Sequence, residues 1–141
     1  MIAVDTNILI YAHREEFPLH RKARTRLVEL AEGREPWALP IFCVGEFLRV
    51  VTHPKLLDPP STLEQATEAL GNLLKSPSLV LLNPARNFWP ILADVAKAAN
   101  AKGNILYDAQ IVAVCREHGV REILSEDRDF SRFKGITLHT L

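Results

Sequence analysis

Seventeen of the 141 residues are Asp or Glu, and most fall on polar helix faces that need no function. Glu15, Glu16, Glu29, Glu32, Glu64, Glu68 and Glu117 are of this kind. Asp5, Glu46, Asp108 and Asp127 keep different company. Asp5 directly follows the apolar run Ile2-Ala3-Val4. Glu46 interrupts the apolar stretch from Ile41 to Val51. Asp108 precedes Ala109-Gln110-Ile111-Val112-Ala113-Val114, and Asp127 follows Glu122-Ile123-Leu124 within a few residues. Each has an ordinary explanation by itself. Asp5 can cap a helix, Glu46 can pair with Arg49, Asp108 can sit on a helix dipole, and Asp127 can belong to a turn. Convergence of all four would be another matter. Two carboxylates ~4 Å apart repel by about 4 kcal/mol at an effective dielectric of ~20. Such a cluster takes up protons or binds a hard cation. All-oxygen ligation favours Mg²⁺ or Mn²⁺ over zinc. The matching chemistry is phosphodiester hydrolysis, in which one or two metal ions polarise the phosphoryl oxygen and activate water.

The elements that would position these acids can be read from periodicity and breakers. Ile2-Ala3-Val4 suits a short buried strand, followed by Asp5-Thr6-Asn7 and a helix over Ile8 to His13. A second helix is expected from Pro18 to Glu32, with Leu19, Ala23, Leu27, Leu30 and Ala31 on one face and Gly33 as its stop. Trp37-Ala38-Leu39 reads as a strand. Pro40 is expected to open a helix running to about Thr52. Ser61 is expected to start another, with Glu64 closing a capping box. Leu79 to Leu82 reads as a strand, Asn87 to Lys102 as a helix ended by Gly103, and Tyr107 to His118 as a very apolar helix ended by Gly119. Glu122 to Leu124 and Ile136 to His139 complete the strands. Strands alternating with helices imply an α/β fold whose mostly parallel sheet is covered on both faces. Functional residues of such sheets collect at the carboxyl ends of the strands, where Asp5 and Asp127 fall.

The bulk numbers fit one domain over residues 1–141 with a core of its own. No apolar run is long enough to span a bilayer and no secretory leader is evident, so a cytoplasmic protein is expected. Cys43 and Cys115 each lie in an apolar run and read as reduced, buried thiols, with no zinc-type spacing. The net charge is zero, so attraction to nucleic acid must come from local basic patches.

Four segments resemble the motifs of PIN-domain ribonucleases, in order and across the whole chain: Val4-Asp5-Thr6-Asn7-Ile8-Leu9, Pro40 to Val51 around Glu46, Gly103 to Ile111 around Asp108, and Glu122 to Phe130 around Asp127. The length and the absence of added domains are similar to the VapC toxins of toxin–antitoxin pairs. The resemblance implies a three-layer α/β/α sandwich with a parallel sheet of about five strands. It implies Mg²⁺- or Mn²⁺-dependent endoribonuclease activity on RNA, with Asp5, Glu46, Asp108 and Asp127 as catalytic acids and metal ligands. It also implies a homodimer and a small cognate antitoxin that occludes the site. Thr6 and Ser125 would lend hydroxyls, Asn7 would shape the site, Asn104 would orient Asp108 or a water, and Asp129 would act as an outer partner or cap.

Arg14, Arg49, Arg128 and Arg132 lie near the motifs and could meet phosphates, Arg49 having the best case, one helical turn from Glu46. Trp37, Phe88 and Trp89 are expected in the core rather than on bases. Helices carrying Leu9 or Phe47 are expected to offer a dimer contact surface. The competing function is a non-catalytic RNA- or partner-binding module on the same fold, which has no reason to retain four repelling acids. A phosphoaspartate switch needs a lysine that Ser125-Glu126-Asp127 does not supply, and an Asp-x-Asp phosphatase needs a second acid that Asp5-Thr6-Asn7 lacks.

Overall fold

Five short strands, β1 (Ile2–Val4), β2 (Trp37–Pro40), β3 (Leu79–Leu82), β4 (Glu122–Leu124) and β5 (Thr137–His139), lie in the order β3-β2-β1-β4-β5 in the computed structural model, which describes all 141 residues. Every neighbouring pair is parallel, with Ala3 opposite both Ala38 and Ile123. Six helices connect them: α1 (Thr6–His13), α2 (His20–Glu32), α3 (Ile41–Val51), α4 (Leu63–Leu74), α5 (Phe88–Ala98) and α6 (Ile105–Glu117). The chain builds outward from β1 to β3 and then returns through α5 and α6 to β4 on the other side of β1. Right-handed crossovers place α1 to α4 on one face of the sheet and α5 and α6 on the other. This is the α/β/α arrangement expected from the sequence, and the strand order reverses between β1 and β4.

Burial explains why strands this short hold. Ala3, Val4, Trp37, Ala38, Leu39, Ile123 and Leu124 are sealed between the helical layers. α6 is buried from Ile111 to Cys115 without a break, so it lacks the polar stripe of a surface helix. Cys43 and Cys115 are free thiols in this core, as expected. No helix is long and apolar enough to cross a membrane.

Several boundaries differ from the sequence reading. α4 is capped by Thr62, one residue beyond Ser61. The Thr62 hydroxyl accepts from Gln65 N–H and the Gln65 side chain accepts from Thr62 N–H, so Gln65 rather than Glu64 closes the capping box. Ser61 is instead buried, its hydroxyl within hydrogen-bond distance of His13 Nε2 and Arg14 Nη1. α5 stops at Ala98, short of Lys102, because Asn100 turns left-handed at φ +49° and ends the ladder. α2 begins at His20 rather than Pro18, and α6 begins at Ile105, two residues before Tyr107. Pro40 closes β2 and caps α3 rather than entering its first turn. Gly33 has an ordinary φ, and its requirement is space: a Cβ there would lie 2.7 Å from Glu29 O.

Leu9 and Phe47 are only 4% and 3% exposed, and their helices border an apolar depression together with Leu27, Leu70 and Leu73. One surface expectation fails. Trp89, expected in the core, is 72% exposed on α5, while Trp37 is fully buried. The Trp89 indole borders a depression shared with Leu106 of α6.

Candidate active site

Asp5 occupies the point where the strand order reverses, at the carboxyl end of β1. Its backbone N–H donates to Leu124 O (3.0 Å), which ties it to the end of β4. The carboxylate caps α1: Oδ1 accepts from Thr6 N–H (2.7 Å). Oδ2 accepts from the Ser125 hydroxyl (2.6 Å) and from Asn7 Nδ2 (3.0 Å). The carboxylate caps α1 through one oxygen and is held by Ser125 and Asn7 through the other. Burial dominates its titration and lifts its pKa to about 6, against the lowering effect of Ser125 and Thr6.

Ser125 is the hub. It follows β4 and is fully buried. Its oxygen donates to Asp5 and accepts from both Asn7 Nδ2 (2.9 Å) and Asp127 N–H (2.9 Å). Asn7 Oδ1 in turn accepts from Glu126 N–H (3.3 Å). The loop after β4 is thus locked to the loop after β1 by side chains that can each make no further strong bond in that direction. Ser125 and Asn7 both lie beside Asp5, within hydrogen-bond distance of its Oδ2.

Glu46 enters from α3. Its Oε2 accepts from the Thr6 hydroxyl at 2.8 Å, so Thr6 bridges the first two acids. The ordinary explanation of Glu46, an ion pair with an arginine, is not met; the ion pairs are Arg14–Glu16, Arg26–Glu29 and His139–Glu122. Asp108 comes from the first turn of α6, and Asp127 caps the 3₁₀ turn Arg128–Arg132 by accepting from Asp129 N–H (2.9 Å). Carboxylate oxygens of Asp108, Asp127 and Asp129 lie within 4.8 Å of one another. Asp129, expected at the margin, is therefore level with Asp127 beside Asp108. The sequence could not choose between two acids spaced i, i+2 in a turn, and the geometry brings both.

Electrostatics join the two halves of the group. Desolvation first, then Asp127, Asp5, Asp129 and Glu46, raise the Asp108 pKa to about 7. No Lys or Arg pairs with any of the five acids. Burial first, then the charges of Glu126, Asp5 and Asp127, raises the Tyr11 phenol. Cys43 Sγ is 4.0 Å from Asp5 Oδ1, and burial holds it well above the usual thiol range, so it is a neutral neighbour rather than a nucleophile. The donor set is all oxygen, negatively charged and uncompensated by protein cations. That composition fits a hard divalent ion and favours one over zinc.

The other expected residues fare unequally. Asn104 is exposed before α6 and its side chain makes no hydrogen bond, so it does not orient Asp108. The Arg14 guanidinium is consumed by Glu16, Ser61 and Pro59 O, a structural clamp rather than a phosphate contact. Arg49 lines a cavity beside Glu46. Arg128 and Arg132 are exposed on the 3₁₀ turn next to Asp127. Tyr107 and Gln110, which share the Arg49 cavity, were read in the sequence only as helix residues. The available signal was an aromatic residue adjoining an acid at a helix start.

The PIN domain family model matches residues 2–136. The chain is similar to Ribonuclease VapC48 of Mycobacterium tuberculosis, 39% identical over 136 residues that cover 95% of this chain and 92% of the relative. It is also similar to Ribonuclease VapC43 of the same organism, 35% identical over 134 residues covering 95% and 90%. Among solved structures, VapBC2 from Rickettsia felis bound to a promoter DNA fragment superposes with a TM-score of 0.73 at 17% identity, covering 99% of this chain and 98% of that one. Mycobacterium tuberculosis VapC20, described as a Sarcin-Ricin loop cleaving toxin, superposes at 0.70 and 17% identity, covering 96% and 98%. The acids after β1 and β4, the acid on α3 and the acid opening α6 thus stand on a shared fold, and the chain belongs to the PIN-domain family, among the VapC ribonucleases.

Proposed function

We propose that residues 1–141 form one nuclease domain that hydrolyses RNA phosphodiester bonds with a divalent ion, Mg²⁺ or Mn²⁺, as the toxin of a VapBC-type pair in the cytoplasm. The observation that carries this reading is the gathering of Asp5, Glu46, Asp108, Asp127 and Asp129 at one sheet edge with no cation to balance them. A binding module would have no use for that repulsion.

In this reading Asp5, Glu46, Asp108 and Asp127 hold the ion, and Asp129 adds a further carboxylate beside Asp108. A bound ion supplies Lewis-acid polarisation of the phosphoryl oxygen and a lowered pKa for water. The chain supplies the rest. Ser125, Thr6 and Asn7 fix the Asp5 carboxylate before any ligand arrives, so little reorganisation is left for the reaction. Thr6 holds Glu46 in the same way. Burial and the neighbouring carboxylates raise the Asp108 pKa to about 7 in the metal-free protein, so its ionised form is the one an incoming divalent ion would stabilise most.

The partners follow from the relatives: an RNA substrate, a small cognate antitoxin, and a second copy of the chain. Trp89 and Leu106, 72% and 42% exposed, border an apolar depression with Leu92, Ala93 and Ala96, a surface suited to the second copy.

Cleavage of total RNA in Mg²⁺, in Mn²⁺ and in EDTA tests the function. Fragments formed only with a divalent ion support it. Intact RNA in all three, together with retained RNA binding, would turn the chain into a binding module.

A further inference from the structure

A cavity of about 390 Å³ opens directly off the acid cluster, between α3 and α6. Glu46 belongs both to the cluster and to the cavity wall, and Tyr107 precedes Asp108 in the chain. Its volume lies near the lower end for pockets that enclose a small organic ligand. There is room for one nucleotide and none for a base-paired one.

The lining is unusual in what it leaves unused. The Arg49 guanidinium makes no ion pair and no hydrogen bond. Tyr107 is 67% exposed, its hydroxyl unbonded, with its ring available on a face next to the reacting edge. Gln110, one turn further along α6, has a free side-chain amide. Gly45 is the independent observation. It sits in the middle of α3, where glycine weakens a helix relative to alanine. No atom lies within 4 Å of where its Cβ would be, so packing does not demand it. Its effect is to keep the cavity wall open.

We propose that this cavity is the subsite for the nucleotide flanking the scissile phosphate: an unpaired base stacks on the Tyr107 ring, the Gln110 amide meets the base edge, and Arg49 takes the adjoining phosphate. Stacking on an aromatic side chain requires the base to be swung free of a helix. Within that subsite, Tyr107, Gln110 and Gly45 set which flanking base is preferred. Arg49 contributes salt-dependent affinity rather than base choice. This inference rests on the nuclease reading for the meaning of the flanking phosphate, but not for the existence of the subsite.

The test is equilibrium fluorescence anisotropy of a short fluorescein-labelled single-stranded RNA of mixed sequence, and of its duplex form, with Mg²⁺ present. Wild type, Tyr107→Ala, Tyr107→Phe, Arg49→Ala and Gly45→Leu are compared, with cleavage and solution mass read on the same samples. Wild type should bind the single strand and not the duplex. Tyr107→Ala should weaken binding by about fivefold to a hundredfold, the range for one lost base stack, and Tyr107→Phe should retain it. Gly45→Leu should abolish binding while the melting temperature holds or rises, which separates a filled subsite from a failed fold. Unchanged affinity in Tyr107→Ala and Gly45→Leu, or no single-strand preference in wild type, would overturn the subsite. So would a Tyr107→Ala loss that coincides with a halved solution mass, because the face would then be an interface between copies. Groove-dependent binding without cleavage would support the subsite and overturn the nuclease reading alone.

Discussion

Without metal, the protein should lose stability as the pH rises from about 4 to about 7, the reverse of ordinary acid denaturation. Asp5 and Asp108 titrate near 3.8 when unfolded and at about 6 and about 7 when folded. Below the unfolded value both states are protonated and nothing is lost. Above it the unfolded chain releases its protons first, so the folded state binds more protons and unfolding becomes easier with each step of pH. The loss is complete once the folded groups ionise, by about pH 7.5. For buried Asp5, the climb from 3.8 to about 6 corresponds to about 3 kcal/mol. Asp108 is half exposed, so solvent screens its share and it adds less than its higher pKa suggests. Three kcal/mol is a large part of a stability of ~5–15 kcal/mol and should lower the melting temperature by about 10 °C. Urea unfolding in EDTA at steps from about pH 4.5 to 7.5 measures it. Asp5→Asn should flatten the slope, since the titrating group is gone. Its new amide meets the Ser125 and Asn7 donors, so at pH 5 it should be less stable than wild type. Saturating Mg²⁺ should remove the decline altogether. Stability that stays level or rises with pH in EDTA would refute the reasoning that the acids stand uncompensated.

Removing the hub by Ser125→Ala strips a donor from Asp5 and an acceptor from Asn7 and Asp127; thermal melts should show a loss of about 1–3 kcal/mol, and cleavage should fall further than stability does. Arg14→Ala should behave oppositely, lowering the melting point through the lost Ser61 and Pro59 contacts while kcat/KM per folded molecule is unchanged. Thr62→Ala should cost about 1 kcal/mol by opening the capping box of α4, read by denaturant midpoint, with no effect on cleavage.

The legible parts of this molecule were those with short-range physical causes. Ile2-Ala3-Val4 and Glu122-Ile123-Leu124 are apolar runs that parallel pairing must bury, and the acids behind them are placed at the switch point by topology alone. The apolar surroundings of Glu46 and Asp108 told that these acids face inward, because such helices have no polar side to carry them. What escaped depended on contacts between distant segments. Arg14 looks like a phosphate ligand in sequence, yet Ser61 and Pro59, more than forty residues away, absorb it. Trp89 reads as core by composition, but its position on the outer side of the α5–α6 pair is a matter of helix rotation that no local pattern fixes. Thr62 and Ser61 are equivalent capping residues on paper, and the buried His13–Ser61 contact breaks the tie. Asp129 looked marginal beside Asp127 in the sequence, and only the 3₁₀ turn shows both carboxylates beside Asp108.

The central claim is that the acid cluster and the RNA chemistry are one site. Cleavage of total RNA in Mn²⁺ by wild type and Asp108→Asn, at matched folded concentration, tests it most directly. The account predicts metal-dependent fragments from wild type and none from the variant, whose fold is intact. Equal cleavage by both would contradict it and place the chemistry elsewhere on the molecule.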